Sequence, residues 1–249
     1  MPGTEETGNI MVCLKQVKTR IAALAFLALL LPCLLPAAEA EQPSARELLA
    51  LVRANQAGQN RDLTGKLRMS TSEEKIEVPF QLTLRGNVIT YQFTDKLEAL
   101  VLRLGDKDSR LDRVTGSGKT EKIAGAKLDE LVRGTDISYE DMALKFLYWT
   151  NAIVEKKQES LKTRTCWIVR AVPSHKGESQ YDMVRLWIEP TGGMLQAECY
   201  YRAQLIRRFS VINVQSAHDT GGYILKSMRI DRMDASGKGS HPTYLEVRQ

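Results

Sequence analysis

Histidine is scarce in this chain, with three residues, and cysteine nearly so, with four. His175, His218 and His241 stand far apart, and none has a partner at metal-ligand spacing. Cys166 has no His or acid placed to activate it, and a strand thiol is ordinarily inert packing. No G-x-S-x-G nucleophile elbow occurs. Gly118-Lys119-Thr120 resembles the tail of a phosphate-binding loop, but Arg113 stands where the first glycine belongs. These gaps argue against an enzyme and leave no cofactor, metal site or catalytic residue to name. Single-sign charge clusters are missing too. The net charge is +5, but Lys and Arg are scattered, so nucleic acid is not implied. The chain has no coiled coil, low-complexity tract or exact internal repeat.

One long apolar run is present, and it sits at the start. Lys15, Lys18 and Arg20 precede Ile21 to Leu35, and Ala38-Glu39-Ala40 places small residues where a signal peptidase reads. Residues 1–40 read as a signal peptide cleaved after Ala40. The run is short for a membrane anchor and contains Pro32. Pro32 is also a poor residue before Cys33 if that cysteine were to carry lipid. The acidic leader leaves Met11 as a second candidate start. Removing residues 1–40 takes away three bases and three acids, so the charge stays +5. Residues 41–249 suffice for one domain with a sizeable core.

The stretch Gly134 to Trp149, GTDISYEDMALKFLYW, carries the clearest helix signal within a strand-rich region. Ser138 and Asp141 form a capping-box-like pair, and Glu140 and Asp141 suit the first turn of a helix. Met142, Phe146 and Trp149 share one face at spacings of four and three. A second helix is expected from Ser44 to Ala57, with a Ser44/Glu47 capping box. Its apolar stripe comprises Ala45, Leu48, Leu49, Leu51 and Val52, and Gly58 is its stop.

Period-two alternation marks the strands: Leu63 to Met69, Ile76 to Leu84, Val88 to Thr94 and Leu100 to Leu104. A polar hairpin spans Ser109 to Lys122, and a short helical piece covers Ala126 to Val132. Further strands are Cys166 to Val172, Tyr181 to Glu189, Met194 to Arg202, Ile206 to Val214, Tyr223 to Asp231 and Thr243 to Arg248. The predicted fold is α+β and β-dominated, a strongly curved antiparallel sheet with both helices on its concave face. Cys166 and Cys199 fall on alternate strands, about 10 Å apart in a simple meander and too far to bridge.

GTDISYEDM, LKFLYW, CWIVRAVP and YDMVRLWIEPTGGMLQAECYYRAQLIRRFSV resemble the outer-membrane lipoprotein-sorting protein family, relatives of the periplasmic lipoprotein carrier LolA. The similarity takes in the N-terminal helix and Asp62-Leu63-Thr64-Gly65, and covers most of Glu41 to Asp234. It implies a LolA/LolB-like fold over residues 41–249: an unclosed antiparallel barrel with helices covering its apolar concave side. The implied role is carriage of lipoprotein acyl chains or another lipid across the periplasm. Partners would be an inner-membrane transporter and an outer-membrane acceptor. A non-catalytic accessory envelope protein serving such a transporter, with a filled core, is the competing reading.

The residues whose alternation turns them toward such a cavity are Phe80, Leu82, Leu84, Leu102, Val184, Leu186, Ala197 and Tyr201. Trp187 belongs to the opposite face from Leu186. The helix face Met142, Phe146 and Trp149 is the candidate lid. The export signal generates a direct expectation: the protein recovered from the periplasm begins at Glu41 by N-terminal sequencing. An intact N-terminus in the membrane fraction would favour the anchor, and a lipid-modified Cys33 the lipoprotein.

Overall fold

A computed structural model of the chain describes residues 42–216, 223–239 and 241–248. Residues 1–40, where the signal peptide is expected, and His218 lie outside the described residues. Helix α1 runs Ala45–Ala57. Ser44 Oγ accepts from the Glu47 N–H, and the Glu47 carboxylate accepts from the Ser44 N–H at 2.7 Å, completing the capping box. Ala45, Leu48, Leu49 and Val52 are buried; following Ala45 by three, four and seven residues, the others share its face, and Leu51 lies outside it, 37 % exposed. The expected five-residue stripe is therefore narrower by one.

Six strands follow: β1 Gln59–Ser70, β2 Lys75–Gly86, β3 Val88–Phe93, β4 Glu98–Leu104, β5 Ser109–Thr115 and β6 Thr120–Ile123. Seven more complete the sheet: β7 Asn151–Leu161, β8 Arg164–Val172, β9 Met183–Ile188, β10 Met194–Tyr201, β11 Gln204–Ser216, β12 Tyr223–Arg232 and β13 Thr243–Arg248. All neighbours are antiparallel, in the order β6-β5-β4-β3-β2-β1-β13-β12-β11-β10-β9-β8-β7. Two hairpin meanders thus join along one seam, where β1 pairs β13 with Leu67 opposite Leu245. The sheet does not close: its edges are β6 and β7, which are consecutive in sequence. This is the unclosed, β-dominated antiparallel fold that the sequence predicts.

The chain between those edges must travel from one side of the sheet to the other. It does so over the inner face, because Ile137, Tyr139, Ala143, Phe146, Leu147 and Trp149 share one core with the inward residues of the strands and of α1. Here the expected helix Ser138 to Trp149 is corrected. Helix α2 covers only Tyr139–Ala143, and Leu144 adopts left-handed backbone at φ 53° and ψ 34°. A 3-10 turn, Lys145–Tyr148, then carries the chain onward. The break turns Phe146, Leu147 and Trp149 separately into the core rather than along one helix face.

Strand β7 was not expected. Its sequence NAIVEKKQESL is rich in charge, and bulges interrupt its pairing with β8 between Val154 and Glu159. An edge strand needs only one partner, and charges and bulges there keep other chains from pairing with it. Cys166 and Cys199 are free and buried. Cys199 faces the main core, whereas Cys166 packs with Ile168, Trp187 and Leu195 on the other side of the sheet. That cluster also places Trp187 opposite Leu186.

Gly65 shows how closely the inner face is packed. A Cβ there would lie 2.6 Å from the Phe80 ring and 2.7 Å from the Glu246 carbonyl. Phe80 therefore lies over a bare stretch of β1, edge-on to Tyr91 at 5.5 Å. Gly65→Ala should lower unfolding free energy by about 1–3 kcal/mol, read by urea denaturation; an unchanged midpoint would contradict this packing.

Candidate ligand cavity and its polar anchor

The last turn of α1 ends at Gly58, and β1 starts at once. This short connection sets Ala54, Asn55 and Gln56 against the first residues of β1. Between them and the concave sheet lies an open cavity of about 490 Å³. Its floor is apolar: Leu63 from β1, Leu82 and Leu84 from β2, Ile89 and Tyr91 from β3, and Ile224, Met228, Leu245 and Val247 from β12 and β13. Tyr91 has its pKa pushed up to about 12 by burial, so its hydroxyl is uncharged.

Polar groups stand together at one side of the cavity. Gln59 Nε2 donates to the Asn55 carbonyl at 3.1 Å, and Asn55 Nδ2 donates to the Thr191 carbonyl at 2.7 Å. Arg164 donates to both Glu189 oxygens, at 3.1 and 3.2 Å, and Arg61 also lines the cavity. Gly192 lets the β9–β10 turn approach α1. Its φ is 84°, and a Cβ would meet Leu51 Cγ at 2.5 Å.

Of the residues that the sequence assigns to the cavity, the structure brings Leu82 and Leu84 to it. Phe80, Leu102, Phe146, Trp149, Val184, Leu186 and Ala197 are buried in the main core instead, and Met142 packs half-buried against it. Tyr201 is corrected: it is 42 % exposed. It is the last residue of β10, followed by Arg202 and Ala203 with φ of 50° and 62°, so no further strand covers it. Tyr201 lies instead beneath the Arg202 guanidinium, 5.2 Å from the ring centre. Residues of β11, β12 and β13 that line the cavity were missed, because alternation alone assigns a face and not a position along it.

A buried polar cluster pins the crossing segment to the sheet. Asp141 accepts from the Ser138 N–H and hydroxyl, each at 2.8 Å, and from the Tyr181 hydroxyl at 2.6 Å. Arg207 of β11 also donates to Asp141, and both side chains are almost wholly buried. Burial opposes the charge on Arg207, yet Asp141 and Tyr181 hold its pKa above the ordinary value. Arg207 shares the inward phase of Phe209, and that was its signal in the sequence: a base among apolar residues needs a buried acid.

Glu140 is enclosed as well. Its carboxylate accepts from the Ser179 hydroxyl, the Gln180 N–H at 3.2 Å and Gln180 Nε2 at 3.1 Å. Burial raises its pKa despite these bonds. Farther along, the Asp136 N–H donates to Thr243 Oγ1 at 3.1 Å, and Ser109 Oγ donates to the Ala143 carbonyl at 2.5 Å. Glu140 and Asp141 thus do more than suit a helix's first turn.

Neither described cysteine suits nucleophilic work. Burial pushes the Cys166 thiol up to about 11, and burial beside Asp141 raises Cys199 well above the ordinary value. His175 and His241 are exposed in separate loops. Among the described residues, no group of three or more His, Cys, Asp or Glu is placed to hold a metal ion.

A family model described as "uncharacterized protein"-like matches residues 114–249, more than half of the chain, and the chain belongs to that family. No curated protein matches the sequence significantly. Solved structures share the fold. A DUF1329 family protein from Desulfovibrio piger is 16% identical with a TM-score of 0.63, covering 82% of this chain and 90% of that one. A putative outer membrane lipoprotein-sorting protein domain from Vibrio parahaemolyticus is 14% identical, with a TM-score of 0.62 over 81% and 89%. A LolA superfamily protein from Nitrosomonas europaea is 14% identical, with a TM-score of 0.61 over 84% and 93%. The fold is therefore LolA-like.

Glu140 gives this anchor a signed pH dependence. Its raised folded pKa makes its contribution fully present below the unfolded value of 4.5, and lost as pH rises through the folded value. The parent protein should gain stability over Glu140→Gln as pH falls from neutrality toward 4.5. Urea unfolding of both proteins across that range checks it, and a difference that shrinks on acidification would contradict it.

Proposed function

We propose that this protein is a periplasmic carrier of amphiphiles, without catalytic activity, that serves the sorting of lipoproteins or lipids toward the outer membrane. The observation that carries this reading is the open cavity with an apolar floor and a polar rim. A protein of purely structural use would gain by filling that space, since apolar walls left unpacked forfeit contacts. The likeness in fold to proteins described as lipoprotein-sorting and LolA superfamily members agrees with it. So does the signal-peptide pattern of residues 1–40, which reads as an export address.

Binding would be driven by burial of hydrocarbon, about 0.8 kcal/mol per methylene, so one long chain gains on the order of 10 kcal/mol. A carrier must also release its cargo. Leu82 and Leu84 would hold the chain, and the last turn of α1 would act as the wall that yields. That wall touches the opposite rim through Asn55 and Gly192, contacts that a donor or acceptor protein could displace. An inner-membrane transporter and an outer-membrane acceptor are the partners this role requires. The accessory reading, with a filled core and no ligand, is disfavoured by the cavity.

Mass spectrometry of the protein purified from periplasm should find co-purifying lipid. Val214 lines the cavity and is half-buried, so Val214→Trp should fill it. That variant should lose the lipid while its melting temperature stays close to the parent's. A parent that carries no lipid and binds no fluorescent fatty acid would end the carrier reading.

A further inference from the structure

We infer that Tyr91 is a specificity-determining residue of the cavity: its hydroxyl donates a hydrogen bond to the acyl carbonyl, ester or amide, that joins a ligand's hydrocarbon chain to its head. This rests on the cavity being the ligand site.

Tyr91 stands on β3 between Leu82 of β2 and Leu100 of β4. Phe80 braces its ring edge-on at 5.5 Å, which fixes where the hydroxyl points. The side chain lines the cavity and is half-buried. Among the described residues its hydroxyl has no hydrogen-bond partner. Burial alone acts on it, without a charged neighbour.

Other tyrosines are satisfied or sealed. The Tyr139 hydroxyl accepts from Arg113 at 2.8 Å, Tyr181 donates to Asp141 at 2.6 Å, and Tyr200 donates to Glu198 at 2.5 Å. The Tyr148 hydroxyl also lacks a partner among the described residues, but it is closed off from solvent, where no ligand reaches it. Tyr91 joins an unmet hydroxyl to an open cavity.

A phenol without a partner among apolar side chains forfeits a hydrogen bond, and a ligand that brings an acceptor restores it. An ionised acceptor would reach this part of the floor without a counter-charge, at a cost greater than one hydrogen bond returns. The acceptor is therefore uncharged. An ester or amide carbonyl is the uncharged acceptor that a lipid carries next to its hydrocarbon chain, and the two linkages share this chemistry.

The full chain, exported and purified, can be loaded with the neutral dye N-phenylnaphthylamine and challenged with three competitors. These are monopalmitoylglycerol, the ether hexadecylglycerol and N-palmitoylethanolamine. The first two share a head and a chain length and differ in the carbonyl. The ester should displace the dye at about fivefold lower concentration than the ether. In Tyr91→Phe that difference should vanish through weaker binding of the ester. The ring is kept and no internal partner is lost, so the urea midpoint of the ligand-free variant should match the parent's.

If the ester and the amide both weaken in Tyr91→Phe, the carbonyl is read in either linkage. If one of them weakens, that linkage names the ligand's source, and the inference stands. Ester and ether binding equally to the parent is the result for a hydroxyl satisfied by water, and it would overturn the inference while leaving the carrier reading intact. So would a difference that survives Tyr91→Phe, or a lowered urea midpoint for the ligand-free variant. Failure of the dye and of all three competitors to bind would overturn both.

Discussion

An antiparallel sheet whose edges are consecutive in sequence must be crossed by its own chain. Here that constraint is met by residues 124–150, which leave edge strand β6, pass over the concave face and enter edge strand β7. Such a crossing brings backbone polar groups into an apolar interior, where they need partners. The Asp141–Arg207 pair and its neighbours supply them. Asp141 caps α2, binds Tyr181 and neutralises Arg207, so one carboxylate joins the crossing segment to β11 and to the chain entering β9. Removing either charge would strand the other in the core, which typically costs about 3–5 kcal/mol.

Because the crossing segment fills one part of the concavity, the open cavity is confined to the other. Phe146, Leu147 and Trp149 pack into the core, and Leu144 bends the chain to place them. Beyond them, among the described residues, the end of α1 and the β9–β10 turn stand over the inner face of β1, β2, β12 and β13. The cavity is what remains of a barrel that is half plugged by its own connection. Its walls are hydrogen-bonded sheet on one side and a helix end on the other.

Most strands were legible because one face of each is apolar and the other charged, as in Val78, Phe80, Leu82 and Leu84 against Glu77, Gln81 and Arg85. The first helix was legible from its capping box. Three things were not. Strand β7 hides behind Lys156 and Glu159 and two irregularities of register, which erase alternation. Leu144 has no business in left-handed backbone by local preference, and only the packing of Phe146 and Trp149 requires it there. The position of the cavity along the strands depends on where α1 ends against the sheet, a long-range relation that no periodicity encodes. Of the predicted site, Leu82 and Leu84 were placed because they lie on the floor near that end.

The seam between β1 and β13 has a consequence for how the molecule comes into being. Thr64 pairs with Arg248, and Met69 with Thr243, so an early strand waits for the last one described. Among the described residues, the strand pairing that joins the two meanders is that of β1 with β13. Such non-local pairing makes folding slow, because the loop between the partners must be closed before any contact compensates for it. A chain held open until its final strand arrives is also a chain that can be threaded. For a protein whose first residues read as an export address, slow completion of the sheet would leave time for the chain to be threaded before it folds.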